Sequence, residues 1–170
     1  MTLSVRALSP DDQEQWRAVR LEALESEPAA FLTTAAEQRA RSTEEDRAQL
    51  AHGNWRGLFR YADLIGLAAL IPMPRAACQH RMEVGAVYVS ADHRGGGVAQ
   101  FLLDALVEEA RDRGALQLEL FVADVNPRAI RFYERNGFVR CGSVPRAVSL
   151  NGQYVDDFFY VRFLDRPAGS

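Results

Sequence analysis

The chain predicts a mixed α/β protein, with helices at the front, strands in the middle and a strand–helix–strand–helix alternation behind them. Three features carry that expectation. Helix-start signals stand at "SPDD" and "STEED", where a cap residue precedes acids in the first turn. Apolar runs of strand length fill residues 55–90, short enough to separate them from buried helices. Two further helical patterns, "GGGVAQFLLDALVEEA" and "NPRAIRFYERNGF", then alternate with strands.

In order, "LSVRAL" (3–8) alternates like a short strand. Ser9 and Pro10 open a helix over 10–26, with Trp16, Val19, Ala23 and Leu24 on its buried face. "SEPAAFLTT" interrupts it, and a second helix is expected from Ser42 to near Gly53. Residues 55–74 read as two strands with a tight turn near Ala62 and Asp63. Residues 80–90 form a third apolar strand that carries Glu83. The next helix places Phe101, Leu102, Ala105, Leu106 and Ala110 at helical spacing and closes at Gly114. A buried strand over 116–122, a short helix from Asn126 and Pro127, and a hairpin turning at Asn151 and Gly152 complete the chain. One domain is expected over 1–165, with a frayed tail over 166–170.

The bulk numbers narrow the class. With 170 residues, 48 % hydrophobic and 25 % charged, the chain can bury about 70 % of its unfolded surface. A net charge of −3 argues against nucleic acid as a partner. All 20 basic residues are arginine, so no lysine is present for Schiff-base chemistry. Cys78 and Cys141 are far apart, which suits neither a disulfide framework nor a zinc site. No leader pattern opens the sequence, and the apolar stretch 64–73 is too short to cross a bilayer. The expectation is a cytoplasmic protein without membrane or metal.

The run "DHRGGGVAQFLLDA" poses the functional question, because three glycines at a helix threshold have a use. A helix start offers unpaired N–H groups and a positive dipole end, which suit a phosphate. The lysine-requiring P-loop G-x-x-x-x-G-K-S/T is excluded. A dinucleotide fingerprint G-x-G-x-x-G fits poorly, since Gln100 occupies its third glycine slot and the run lies past the midpoint.

A resemblance supplies the third reading. "VYVSADHRGGGVAQFLL" is similar to the acetyl-CoA motif of the GNAT superfamily of N-acetyltransferases, a strand followed by Q/R-x-x-G-x-G/A, here Arg94, Gly95, Gly96, Gly97, Val98 and Ala99. "NPRAIRFYERNGF" resembles the family's N-x-x-A-x-x-x-Y-x-x-x-G-F helix, and "VRLEALESEPAAFLTT" resembles the opening of many members. The resemblance covers nearly the whole chain, most specifically 83–138.

It implies a GNAT fold: a mostly antiparallel twisted sheet of six to seven strands with a splayed central pair, flanked by about four helices. It also implies direct transfer of acetyl from acetyl-CoA to a primary amine, on a small molecule or a peptide. The pyrophosphate would meet the main chain of residues 95–99, with Arg94 adding a charged contact. Val87, Tyr88 and Val89 would run beside the pantetheine arm, with a bulge at Gly85. Glu83 would be the base, set against a strand glutamate that faces solvent or pairs with Arg81; His80 and His93 are weaker rivals. Tyr133 would protonate the leaving sulfur, Asn126 would cap its helix and touch the cofactor, and Gly137 and Phe138 would be structural.

Phe31, Glu83 and Asp156 are expected at the acceptor, and Glu25, Glu27 and Asp157 could attract a cationic amine. The protein would act as a monomer or homodimer. Two alternatives remain at this point: a catalytically silent acyl-CoA sensor or scaffold of the same fold, and a Rossmann-type redox protein.

Overall fold

The computed structural model describes residues 2–166. The tail expected to fray therefore lies, from 167 on, outside the described residues. Strands β1 (Leu3–Ala7), β2 (Trp55–Arg60), β3 (Asp63–Pro72), β4 (Arg81–Val89), β5 (Gln117–Ala123), β6 (Val139–Leu150) and β7 (Gln153–Phe163) alternate with helices α1 (Gln13–Ser26), α2 (Ala35–Ala40), α3 (Thr43–Ala51), α4 (Val98–Asp112) and α5 (Pro127–Arg135). The strands lie in the order β1-β2-β3-β4-β5-β7-β6. β4 and β5 pair in parallel, whereas β1–β2, β2–β3, β5–β7 and β7–β6 are antiparallel.

The chain divides into two compact units, one holding residues up to Leu70 with Ala86–Leu106, the other Ile71–Gly85 with everything from Val107 on. The first is built on the apolar face of α1. Trp16, Val19, Ala23 and Leu24 are all buried there, and Trp16 meets Trp55 edge to face at 5.2 Å. β2 and β3 are buried on both faces over most of their length; β3 therefore reads as a continuous apolar run, whereas β2 carries the buried Arg56. A Cβ at Gly66 would stand 2.7 Å from the Tyr88 carbonyl oxygen, so glycine is required for this backbone approach. In the second unit, Leu118, Leu120, Tyr133, Phe138 and Tyr160 are buried.

The local signals worked where they were strong. Ser9 and Ser42 both close capping boxes, and Asn151 and Gly152 turn the β6–β7 hairpin with φ of 50° and 79°, as a type I′ turn requires. The first helix differs at its start, where Pro10–Asp12 is a 3-10 turn. The short α2 was not expected, although Thr34 and Glu37 form a capping box of their own. The β2–β3 turn centres one residue early, on Tyr61 at φ 56°. Phe101 points outward, 42 % exposed; Val98, Leu102, Leu103 and Leu106 fill the buried side of α4.

Asp46 holds the three front helices together. It is fully buried and accepts hydrogen bonds from Gln38 at 3.0 Å and Arg41 at 3.0 Å, from Gln13 at 3.3 Å, and from Arg17. Burial alone would raise its pKa; the guanidinium groups of Arg17 and Arg41 outweigh burial and hold the carboxyl below its usual range. A depressed folded-state pKa contributes stability above the unfolded value, which is lost as pH falls through the folded one. Asp46→Asn should therefore cost about 2 kcal/mol at neutral pH, read as a lower Tm. The gap from wild type should narrow toward pH 3, and a constant gap would show that the carboxylate charge is not the source.

Candidate functional site

The junction between β4 and α4 carries the glycine run. After β4, Ala91–His93 make one 3-10 turn, and Gly95, Gly96 and Gly97 follow with φ of 92°, 55° and 80°. A side chain at any of the three would meet nothing within 4 Å. Crowding therefore does not demand glycine here; the left-handed backbone does, and the space beside it is open. The Val98 N–H is spent on the Gly95 carbonyl at 3.1 Å and the Phe101 N–H on the Gly97 carbonyl at 2.9 Å. Val98 is buried and Ala99 half-buried.

Arg94 braces this junction. Its Nε donates to the Val89 carbonyl at 2.9 Å and its Nη2 to Glu27 at 3.4 Å, while the guanidinium lies over the Tyr88 ring at 5.2 Å. Glu22, which the sequence reading passed over, is the other brace. It accepts from the Tyr88 hydroxyl at 2.9 Å, the Ser90 hydroxyl at 3.0 Å and the Ala91 N–H at 3.4 Å. The Tyr88 hydroxyl also meets Ser26 at 3.0 Å. Nothing local in "LEALES" signals this role, because its partners lie more than sixty positions away.

Val87 is half-buried, and Tyr88 and Val89 are buried. The irregularity expected at Gly85 occurs one residue later, at Ala86, whose φ is 51°. An L-residue adopts that conformation at a cost. The β4–β5 ladder runs only from Arg81↔Gln117 to Glu83↔Glu119. Phe31 is buried in the first unit, with the Arg20 guanidinium 5.0 Å from its ring.

The second unit contains Glu83 and Tyr133. Glu83 is half-buried, and burial, then the negative charge of Glu119, push its pKa above the usual glutamate value. The alternative pairing with Arg81 does not occur. Arg81 forks onto Glu119 instead, with Nη2 to Oε2 at 2.9 Å and Nε on the other oxygen, and Gln117 adds a donor at 2.8 Å. Tyr133 is 8 % exposed, between Phe132 at 5.4 Å and Phe138 at 5.6 Å, and burial raises its phenol pKa. Asn126 caps α5 through the Ala129 N–H at 3.1 Å. Gly137 closes the helix at φ 80°, and the Phe138 N–H returns to the Tyr133 carbonyl at 3.1 Å.

The acids proposed for attracting a cation are mostly committed. Glu25 lies within α1 and pairs with Arg39; Glu27 pairs with Arg94. Asp156 accepts the Arg146 N–H at 2.8 Å. Asp157 is the more strained neighbour, its pKa raised by burial and then by Asp124 and Asp156. His80 is exposed. Among the described residues no group of three or more His, Cys, Asp or Glu side chains is arranged to hold a metal, and no helix is long and apolar enough to cross a membrane.

Residues 14–138 match the Acetyltransferase (GNAT) family. Streptothricin acetyltransferase of Streptomyces lavendulae is 39 % identical over 80 residues, 47 % of this chain and 41 % of that protein. A ribosomal-protein-alanine N-acetyltransferase structure from Brucella melitensis superposes with a TM-score of 0.79 at 25 % identity, covering 94 % of this chain and 99 % of that one. A Salmonella typhimurium structure determined with its cofactor acetyl-CoA gives 0.81 at 20 % identity, covering 100 % and 98 %. The chain spans less than half the length of curated relatives such as the streptothricin enzyme.

Proposed function

The chain belongs to the acetyltransferase (GNAT) family, and on that premise we propose that it is an N-acetyltransferase moving acetyl directly from acetyl-CoA to a primary amine. The observation that carries this reading is the run of three left-handed glycines at the head of α4, with open space where side chains would be. A diphosphate suits such a cradle, because an open main-chain turn and the positive end of a fifteen-residue helix both favour an anion. Gly95, Gly96, Gly97 and Ala99 offer main chain to it. Arg94, engaged with Val89 and Glu27, adds positive charge beside the turn. Val87, Tyr88 and Val89 are the residues proposed for the pantetheine arm, and Asn126 is a further residue proposed for the cofactor.

Acetyl-CoA supplies the acetyl group as a thioester. An alkylamine with a pKa near 10 must lose a proton to attack, and Glu83 receives it. Its raised pKa makes it a stronger base than an exposed glutamate. The Tyr133 phenol keeps its proton at physiological pH and donates to the departing sulfur. Burial weakens it as an acid, but the same burial strengthens a hydrogen bond to a developing thiolate. Phe31 and Asp156 are the residues proposed for acceptor recognition. The reading extends to a single working domain over 1–165, a small-molecule or peptide amine as acceptor, a cytoplasmic setting and a monomer or homodimer.

A panel of amines with acetyl-CoA, followed by the release of free thiol, tests the activity. Tight acetyl-CoA binding with no release across the panel would instead indicate a silent acyl-CoA-binding module. The glycine register has its own test. Gly96 has the mildest of the three conformations, so Gly97→Val should weaken acetyl-CoA binding about tenfold more than Gly96→Val. Equal losses by calorimetry would displace the register.

A further inference from the structure

Arg20 on α1 is 6 % exposed, and the mechanism above does not use it. Its Nε and Nη1 are buried without a hydrogen-bond partner, and no ion pair among the described residues involves it. Asp46, the fully buried acid of the front helices, is spent on Arg17 and Arg41 together with Gln13 and Gln38. The Arg20 guanidinium lies 5.0 Å from the Phe31 ring and 5.2 Å from the Trp55 ring. Aromatic faces satisfy the flat side of a guanidinium, but not the N–H groups in its plane. A buried cation left in this state destabilises the ligand-free protein, a deficit that binding an anion offsets. Burial, then the Arg41 charge, lower its pKa to about 10, which still leaves it charged at neutral pH.

We propose that Arg20 is the receptor for a carboxylate carried by the acceptor, with the Phe31 ring as the wall against which that acceptor lies. The inference rests on the N-acetyltransferase reading, and it makes the acceptor an amine that bears a carboxylate. One uncompensated cation balances one negative charge, which favours a carboxylate over a phosphate dianion. The aromatic flanks strip water from the pair and favour a small, planar partner.

The test compares wild type with Arg20→Met, a change of similar length that removes the charge. For an amino acid and its α-amide, the acid-to-amide ratio of kcat/KM should fall at least tenfold in the variant, through KM rather than kcat. Taking the ratio cancels the different basicity of the two amines. Calorimetry with the N-acetylated amino acid, free of acetyl-CoA, should show at least tenfold weaker binding to the variant and needs no turnover. If turnover fails for every amine while this binding difference holds, acetyl transfer is refuted and the anion site stands.

The Tm of the ligand-free variant should match or exceed that of wild type, because a buried unpaired charge has gone. A lower Tm with an unchanged acid-to-amide ratio overturns the proposal and makes Arg20 a structural cation. Loss of discrimination between acetyl-CoA and its dephospho form also overturns it, by assigning the anion to the co-substrate. Arg20→Lys, which keeps the charge and loses the planar donors, should show an intermediate ratio; a wild-type ratio in that variant would refute the planar recognition.

Discussion

Tyr133→Phe is expected to lower kcat about a hundredfold, the size of a lost general acid, with the KM for acetyl-CoA and the Tm close to wild type. The reason lies in the position of the hydroxyl. Tyr133 is packed by its ring against Phe132 and Phe138, while its hydroxyl makes no hydrogen bond among the described residues. Phenylalanine keeps the ring contacts and removes only the donor, so the fold has little to lose. A loss of less than tenfold would make Tyr133 a core aromatic of α5 and remove it from the chemistry. Activity retained in full with a thiol of lower pKa as leaving group, but lost with acetyl-CoA, would strengthen the assignment.

Glu83→Gln should lower kcat/KM about a hundredfold near pH 7 and abolish the acid limb of the pH profile. In the proposed reaction the active form of Glu83 is the carboxylate. Burial and Glu119 raise its pKa, so wild-type activity climbs with pH through a value above the usual 4.3 of a free glutamate. Removing the ionisable group removes that climb. Stability should respond in the opposite sense. A carboxyl whose folded-state pKa is raised contributes stability below its unfolded value, and that contribution is lost as pH rises through the folded one. At pH 7 the neutral amide avoids this loss, so the variant's Tm should equal or exceed that of wild type. An acid limb that persists in Glu83→Gln would assign the base to another group.

Periodicity and caps made most of the elements readable. The apolar spacing of α1 and the capping serines depend on contacts within a few residues, and such contacts are the same in any fold. The glycine run was equally visible, because a left-handed backbone in three consecutive positions selects glycine, and in "NPRAIRFYERNGF" the asparagine cap, the proline and the closing glycine are local signals as well. α2 was missed although its Thr34–Glu37 capping box was present, since a six-residue helix offers too little periodicity to register.

What the sequence by itself determined was most of the element order and the family resemblance, from which the residues proposed for transfer follow. Tertiary structure decided which charges were free to act. Arg81 went to Glu119, leaving Glu83 uncompensated. Glu22 joined α1 to the end of β4 across more than sixty residues, Asp46 took two arginines, and the Arg20 Nε and Nη1 were buried without a partner. The reason is physical. Local propensity is summed over neighbours along the chain, whereas the energy of a buried charge depends on burial and on whichever opposite charge the fold brings within a few ångströms.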